Sequence, residues 1–332
     1  MINLGYAERK ILVSVAVFLS FAVLLTFASC SGMQSTVDVD KHVVINCTFD
    51  YLVTGESRRY FAKTSPAQAG YEIVWKSENE DVATVDDKGV VTAVASGETQ
   101  ISAEAKNTPY KAKLKLTVAD MIVEEKDGPD ALQSALDELK NNGSVLIIGG
   151  YYPSLNISGR FTITGAEGAG IGDIKLRKDS ALFLYSTGVY AVADGDEKAC
   201  VEMDENSEFT AVNCAFSYID PTGEKISEHA VFAPSDANRI YLRACSFSGY
   251  KTCLKAGATD GEIYVVNNDF SRADTAVEVD LRVEGSTLDK NAYGRIGDNV
   301  YISCGECVKL YYNARSYTGS LEISDADISV PK

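Results

Sequence analysis

The C-terminal two thirds of the chain repeats a short strand pattern at nearly regular spacing, and this repeat limits the possible folds most strongly. A small residue opens each copy, and the copies follow one another after 30, 23, 23 and 31 residues: Cys200, Ala230, Cys253, Ala276 and Cys307. A short basal period with insertions is typical of a solenoid, whose coils bury their inner faces only by stacking. We therefore expect an all-β solenoid of about seven coils over residues 121–332.

A second strand pattern alternates with the first and predicts an exposed aromatic column. Its copies place a tyrosine outward on three successive coils, namely Tyr241, Tyr264 and Tyr301. Aromatic planes stack on the flat apolar faces of sugars, so this column is a candidate carbohydrate-binding site. The alternative is a β-favouring ladder that only shields the sheet.

The start of the repeat region carries a further signal. Apolar residues at helical spacing predict a helix over Gly128–Asn142, capped by Gly143 and followed by a buried strand at Val145–Gly150. This opening and the repeat period resemble the right-handed parallel β-helix of pectin-lyase-like proteins. The resemblance implies an N-terminal capping helix, and it implies that Asn213 and Asn267 satisfy turn backbone groups as an asparagine ladder.

For an enzyme, the same resemblance implies carboxylates and basic residues on one outer face. Hydrolases need an acid with a base or nucleophile, and lyases need a charge-neutralising cation, often Ca²⁺, with an Arg or Lys base. The strongest such cluster is Asp274, Glu278, Asp280 and Arg282, joined in the next coil by Glu306 and Lys309. A solvated acidic sheet has the same pattern, and Lys255, Glu278 and Lys309 also align as a structural ladder of alternating charge. We therefore favour a non-catalytic protein without a cofactor, with Ca²⁺ expected only in a lyase.

Residues 38–120 alternate apolar and polar residues between turn signals, which predicts a small β-sandwich. The stretches Val74–Asn79 and Gly89–Val94 resemble the bacterial Ig-like domain of group 2. The pattern predicts that Trp75 fills the core between the sheets and that Gly89 takes the positive-φ position of a hairpin. Because such domains are spacers or adhesion modules, we expect a stalk, with weak glycan or host-surface binding as the alternative.

The N-terminal segment predicts export. Residues Ile11–Phe27 form an apolar run behind three charged residues, as in a signal peptide. The small residues before Cys30 resemble a bacterial lipobox, which implies a signal peptide at 1–29, a lipidated Cys30 and a linker over 30–37. The alternative is an uncleaved membrane anchor. In either case we expect the rest of the chain at the outer surface of the bacterial cell envelope.

The other seven cysteines follow the repeat, apart from Cys47, which we expect as a buried thiol in the first strand of the sandwich. The repeat places Cys200, Cys253 and Cys307 two coils apart in one column, which is too far for a disulfide. Cys214 and Cys245 fall in one column on adjacent coils. For that pair a disulfide and two stacked thiols both remain open.

Charge narrows the choice of partner. The chain has 31 Lys plus Arg against 47 Asp plus Glu, a formal net charge of −16. Residues 121–332 hold 19 basic and 33 acidic residues, a net charge of −14. This balance disfavours nucleic acid and anionic membrane surfaces, and it repels a polyuronate unless Ca²⁺ bridges the two.

The last predicted strand, Leu321–Ile328, has no capping helix after it, so its open edge predicts self-association or a covering loop. The insertions Tyr218–Glu228 and Val283–Asp298 leave from different corners of the coil and do not converge on one cleft. We therefore favour a surface lipoprotein whose Ig-like stalk displays a β-helix that binds carbohydrate or a host or matrix surface. The alternatives are a polysaccharide lyase or glycoside hydrolase acting through the Asp274–Arg282 face, and a structural envelope protein without a ligand.

Overall fold

The computed structural model of the protein describes ten stretches of the chain: 43–47, 50–64, 71–192, 199–219, 227–234, 237–257, 261–282, 292–312, 320–324 and 328–329. The chain divides into two compact units. One ends at Val123 and includes Gly143–Leu146, and the other comprises Glu124–Asn142 and the residues from Ile147. The predicted signal peptide, the lipidation site at Cys30 and the linker lie outside the described residues.

The first unit is the expected small β-sandwich. Its strands are β1 (Val43–Asn46), β2 (Tyr51–Val53), β3 (Ser57–Arg59), β4 (Phe61–Thr64), β5 (Ile73–Ser77), β6 (Ala83–Val85), β7 (Val90–Ala93), β8 (Gly97–Ala105) and β9 (Lys111–Ala119). A four-stranded sheet has the order β2-β9-β8-β5, a three-stranded sheet the order β3-β7-β6, and β1 pairs with β4. Alternate residues of β8 and β9 are buried, as the apolar–polar alternation predicts.

The predicted hairpin position of Gly89 is confirmed, whereas Trp75 packs on the core without filling it. Trp75 is half-buried and packs against a core that includes Leu52, Ile101 and Leu116. Gly89 has a φ of +77°, and a Cβ at this position would lie 2.9 Å from the Trp75 ring. Glycine is therefore required at this turn both for its backbone conformation and for the close approach of the indole.

The second unit begins with a capping helix that is shorter than predicted. Helix α1 covers Ala131–Leu139 rather than 128–142, with Leu132, Ala135 and Leu136 buried. The left-handed residue after the helix is Lys140, with a φ of +66°, whereas the predicted cap Gly143 lies within the next strand. The predicted cap was wrong because the chain leaves the helix three residues earlier than the first glycine that follows it.

The rest of this unit is a solenoid of short strands. They are β10 (Met121–Glu124), β11 (Asn142–Ile148), β12 (Tyr151–Ile157), β13 (Arg160–Ala166), β14 (Gly170–Leu176), β15 (Ala181–Tyr185), β16 (Gly188–Val192), β17 (Ala199–Met203), β18 (Glu208–Val212), β19 (Ala215–Ile219), β20 (Ser227–Ala233), β21 (Arg239–Arg243), β22 (Ser246–Ser248), β23 (Tyr250–Gly257), β24 (Gly261–Val266), β25 (Asp269–Ser271), β26 (Thr275–Asp280), β27 (Ala292–Gly297), β28 (Val300–Ile302), β29 (Glu306–Tyr311), β30 (Ser320–Ile323) and β31 (Ile328–Ser329).

These strands form two long sheets. The first, with nine strands, has the order β10-β11-β13-β15-β18-β21-β24-β27-β30. The second, with thirteen strands, has the order β28-β25-β22-β19-β16-β14-β17-β20-β23-β26-β29-β31, with β12 beside β14. Successive coils pair in parallel, for example β21 with β24 and β23 with β26. The predicted parallel β-solenoid with an N-terminal helix is confirmed.

The register confirms one predicted column and corrects the end of the chain. Val201, Val231, Leu254, Val277 and Val308 are successive partners, so the small residues that precede them also align. The predicted insertion Val283–Asp298 contains strand β27, so residues 281–291 separate it from β26. The predicted strand Leu321–Ile328 is two strands, β30 and β31, and residues 325–327 between them lie outside the described part.

A hydrogen-bonded column of side chains lines one corner of the solenoid. Cys214, Cys245, Asn268 and Asn299 each donate a hydrogen bond to a carbonyl oxygen of the preceding coil, respectively that of Leu184, Ala211, Leu242 and Val265. The donor–acceptor distances fall from 3.4 and 3.3 Å for the two thiols to 3.0 and 2.9 Å for the two amides. The asparagine ladder is therefore present and includes two cysteines.

This column corrects the predicted ladder residues by one position. Asn213 and Asn267 instead have a φ of +56° and make the left-handed bend just before each ladder residue. Cys214 and Cys245 are free thiols, and burial raises the pKa of Cys214. Cys47, also free, lies just after β1 and is half-buried rather than buried within the strand.

Inside the solenoid, four aromatic rings stack along the coil axis. Their ring centroids are 4.6 Å apart for Phe216 and Phe247, 4.9 Å for Phe247 and Phe270, and 5.6 Å for Phe270 and Tyr301. The three phenylalanines are fully buried, and Tyr301 is half-buried. We call this column the inner aromatic stack.

Candidate carbohydrate-binding face

The outer side of the nine-stranded sheet carries a column of side chains in continuous register. From β15 to β30 the partners are Phe183, Thr210, Tyr241, Tyr264, Arg295 and Glu322. The inward residues on either side, such as Ile240 and Leu242 around Tyr241, are buried. Strand alternation therefore turns this column outward.

Two rings in this column stack on each other, and we call them the outer tyrosine pair. The centroids of Tyr241 and Tyr264 are 5.2 Å apart and their planes differ by 7°. The Tyr264 side chain is 38% exposed, while Tyr241 is half-buried. The Tyr241 hydroxyl donates a hydrogen bond to the Glu262 carboxylate, and burial together with this bond raises the pKa of Tyr241.

Tyr301, the third tyrosine predicted for this column, does not belong to it. It lies on β28 in the other sheet, where its register partner is Phe270, and it extends the inner aromatic stack. The true partner of Tyr264 is Arg295 on β27. A different tyrosine, Tyr293, lies on this face beside Glu262 and is 44% exposed. Sequence reasoning missed it because β27 was taken for part of an insertion.

Cations flank the outer tyrosine pair. Arg239 and Arg243 lie two residues on either side of Tyr241 and therefore on the same face, and both are exposed. Neither has a salt bridge to any described residue. Further along the face, Arg160 lies 5.4 Å from the Phe183 ring centroid and forms a 3.2 Å salt bridge with Glu208. The face thus combines aromatic rings with guanidinium donors.

The predicted carboxylate cluster lies on the outer side of the thirteen-stranded sheet, and its charges pair with one another. Arg282 forms two hydrogen bonds with Asp280, at 2.9 and 2.7 Å. Glu278 pairs with Lys255 at 3.2 Å. The predicted register of Lys255, Glu278 and Lys309 is confirmed.

Two further members of that cluster, Lys309 and Glu306, pair with each other. Lys309 pairs with Glu306 at 3.2 Å, and Glu306 also accepts a hydrogen bond from the Thr275 hydroxyl. The backbone carbonyl of Asp274 accepts the Glu306 N–H at 2.8 Å. Hydrogen bonds with Asp280 raise the pKa of Arg282, and those with Tyr311 and Glu306 raise the pKa of Lys309. Both shifts keep these groups protonated and so leave less of the free base near neutral pH, where a catalytic base needs a lowered pKa.

Within the described stretches, no group of three or more His, Cys, Asp or Glu side chains is placed to hold a metal ion.

Sequence reasoning gave no role to His229, which lies near the carboxylate cluster. Its ring stacks on Phe232 at 5.1 Å, and its Nδ1 has no hydrogen-bond partner among the described residues. Burial lowers the pKa of His229, and the nearby Lys255 lowers it further. A neutral imidazole with an unpartnered nitrogen can accept a proton, and in His229 that nitrogen is buried.

Comparison with known proteins identifies part of the chain. Residues 50–116 match the bacterial Ig-like domain (group 2), which covers 67 of the 332 residues and lies within the first unit. A search of curated proteins finds no match to this chain. A bacterial Ig-like domain suggests a bacterial surface or extracellular protein, and together with the parallel solenoid it fits a surface-displayed protein.

No helix in the described part of the chain is long and apolar enough to span a membrane.

Proposed function

We propose that the protein is a lipid-anchored surface protein whose Ig-like stalk displays a β-helix that binds carbohydrate without cleaving it. The outer tyrosine pair carries this proposal. Two stacked rings on the outer side of the sheet, one of them 38% exposed, bury less apolar surface than they would inside the coil. A sugar ring stacked on them would cover that surface.

The chemistry around the tyrosines supports a glycan as the ligand. Arg239 and Arg243 present hydrogen-bond donors on both sides of Tyr241, and carbohydrate hydroxyls and carboxylates accept such bonds. Carbohydrate sites combine apolar stacking with a few convergent polar groups. The strongly acidic charge of the rest of the chain keeps nucleic acid out of consideration as a partner.

The proposed anchor is a lipid on Cys30, which would hold the chain to the bacterial outer surface. The Ig-like domain at residues 50–116 supports a surface location, because such domains act as spacers. Self-association through the last coil remains part of the proposal, with β30 and β31 as the final described strands. Analytical ultracentrifugation finding only monomers would remove that part.

One experiment tests binding and turnover together. The chain without its first 30 residues, none of which lies in the described fold, is incubated with neutral and acidic polysaccharides in the presence of Ca²⁺. We expect one or more polysaccharides to retard the protein in native affinity gels, while product analysis shows no shortened chains. Shortened chains, or a protein that no polysaccharide retards, would contradict the proposal.

A second candidate function, a polysaccharide lyase or glycoside hydrolase, is favoured by His229 alone. The imidazole lies near Lys255 and Glu278 on the carboxylate face and is held neutral by burial. If product analysis finds turnover, His229→Gln and Asp280→Asn should each reduce it at least tenfold. Turnover that survives both changes would place the chemistry elsewhere on the chain.

A further inference from the structure

The outer tyrosine pair leaves few ring faces open to a ligand. Tyr241 and Tyr264 cover one face of each other, because their rings are parallel within 7°. On its far side Tyr264 adjoins Arg295, a half-buried residue that pairs with Asp298 at 2.7 Å. On its far side Tyr241 adjoins only Thr210. Of the two outer ring faces, that of Tyr241 therefore has the smaller register neighbour, Thr210.

Thr210 makes a gap in an aromatic column. Its other register partner is Phe183, so a small side chain lies between two aromatic ones. Two strand spacings separate Phe183 from Tyr241 at their backbones, about 9.6 Å. A sugar ring in contact with an aromatic group on each side at about 4 Å needs about 8 Å. The gap thus has room for one such ring and not for two.

Both walls of the gap have polar partners. The Arg160 guanidinium contacts the Phe183 ring at 5.4 Å and is itself fixed by Glu208. The hydrogen bond from the Tyr241 hydroxyl to Glu262 restrains the other wall. Restraining these side chains before binding lowers the entropy that a ligand must remove.

The floor and rim suit a sugar. Thr210 and its neighbour Val212 carry no charge, and the nearest carboxylate, Glu208, is neutralised by Arg160. Arg239 and Arg243 lie two residues on either side of Tyr241 on the same face, and their N–H groups are donors of the kind that sugar oxygens accept.

We propose that the gap above Thr210, between Phe183 and Tyr241, holds a single pyranose ring of a glycan chain with an aromatic side chain on each face. This inference rests on the proposed carbohydrate-binding function and adds the position of the sugar. It differs from an open platform, in which sugars lie flat across the tyrosines and an additional ring would strengthen binding.

Thr210→Tyr separates these arrangements. The added ring continues the stack and fills the gap, so we expect an unchanged or higher melting temperature and binding weakened about tenfold or more. Thr210→Val keeps the shape of the floor and is the matched control, with binding within about twofold of the wild type. The probe is the polysaccharide that most retards the wild-type chain in affinity gels.

The further outcomes distinguish failure of the proposed gap from failure of the proposed carbohydrate-binding function. Phe183→Ala, which removes the far wall, should also weaken binding, and it provides the test if Thr210→Tyr fails to fold. Binding that is retained or strengthened in Thr210→Tyr, or unaffected in Phe183→Ala, overturns the gap while leaving the tyrosine face as the site. If the wild type binds no polysaccharide, or if replacing Tyr241 and Tyr264 by alanine has no effect, the proposed function itself fails.

Discussion

The solenoid contains two aromatic stacks with almost the same geometry and opposite surroundings. In the inner aromatic stack Phe216 and Phe247 lie 4.6 Å apart, and in the outer tyrosine pair the rings lie 5.2 Å apart. Both arise because parallel coils place equivalent residues about 4.8 Å apart. Burial, rather than stacking, distinguishes them: Phe247 is fully buried and Tyr264 is 38% exposed. A repeat architecture therefore produces stacks automatically, and only an exposed one calls for a ligand.

The largest expected difference between the stacks is in stability. Phe247→Ala removes a fully buried ring with stacked neighbours on both sides and should lower the free energy of unfolding by about 3–5 kcal/mol. Tyr264→Ala should change it by less than about 1 kcal/mol. Chemical denaturation followed by far-ultraviolet circular dichroism measures both.

The chain contains its own control for that experiment. Trp75 is the single tryptophan and lies in the Ig-like unit, so its fluorescence reports that unit alone. We expect the Trp75 transition to stay in place in Phe247→Ala. Equal losses of unfolding free energy in Phe247→Ala and Tyr264→Ala would contradict the distinction between the stacks.

The second test concerns Tyr301, which was predicted for the outer column and lies in the inner aromatic stack. Tyr301 is half-buried at the end of the inner aromatic stack, so Tyr301→Ala should cost about 2 kcal/mol, less than Phe247→Ala. Tyr301→Phe keeps the ring and serves as the control, with a loss below about 1 kcal/mol. An alanine variant as stable as the wild type would show that this ring adds nothing to the inner stack.

Register explains which of these features the sequence could predict. The column of small inner residues and the neighbours Tyr241 and Tyr264 were predicted correctly, because each of these strands repeats its alternation clearly. Strand β27 does not show a clear alternation, because it carries two glycines. A Cβ at Gly294 would lie 2.0 Å from the Ile263 carbonyl oxygen, so glycine is required where two coils approach closely.

That single unrecognised strand accounts for the error at the candidate site. With β27 hidden in an insertion, Val300–Ile302 took its place in the alignment and Tyr301 was assigned to the outer face. The partners in the salt bridges could not be predicted from the sequence either. The sequence indicates that Asp280 and Arg282 share a face, but only the coordinates show that they bind each other.

A smaller effect concerns the positioning of Tyr241. Glu262→Ala removes the acceptor of its hydroxyl, so the pKa of Tyr241 should fall toward 10 and carbohydrate binding should weaken about threefold. Glu262→Gln retains an acceptor oxygen and should restore most of the binding. Ultraviolet titration of the tyrosines and affinity gels give the two readouts. Carbohydrate binding that is unchanged in both variants would show that Glu262 does not contribute to the site.

The smallest effect is expected on the carboxylate face. Burial lowers the pKa of His229 below 6.5, so the unfolded chain binds a proton more readily than the folded chain. Stability should therefore fall as the pH decreases through about 6.5, and His229→Gln should reduce this dependence. Lys251, Lys255, Glu228 and Glu278 surround the imidazole, and their charges contribute to the profile. Identical profiles for the two proteins between pH 8 and 5 would contradict the buried neutral imidazole.

The most direct test of the outer tyrosine pair as the recognition surface compares Tyr264→Ala with Tyr301→Ala in polysaccharide affinity gels. Both changes remove one tyrosine ring from a stack, and they differ in which stack loses it. We expect Tyr264→Ala to lose about tenfold in affinity while Tyr301→Ala binds like the wild type. Loss of binding in Tyr301→Ala alone, or equal retention of both variants, would contradict the account.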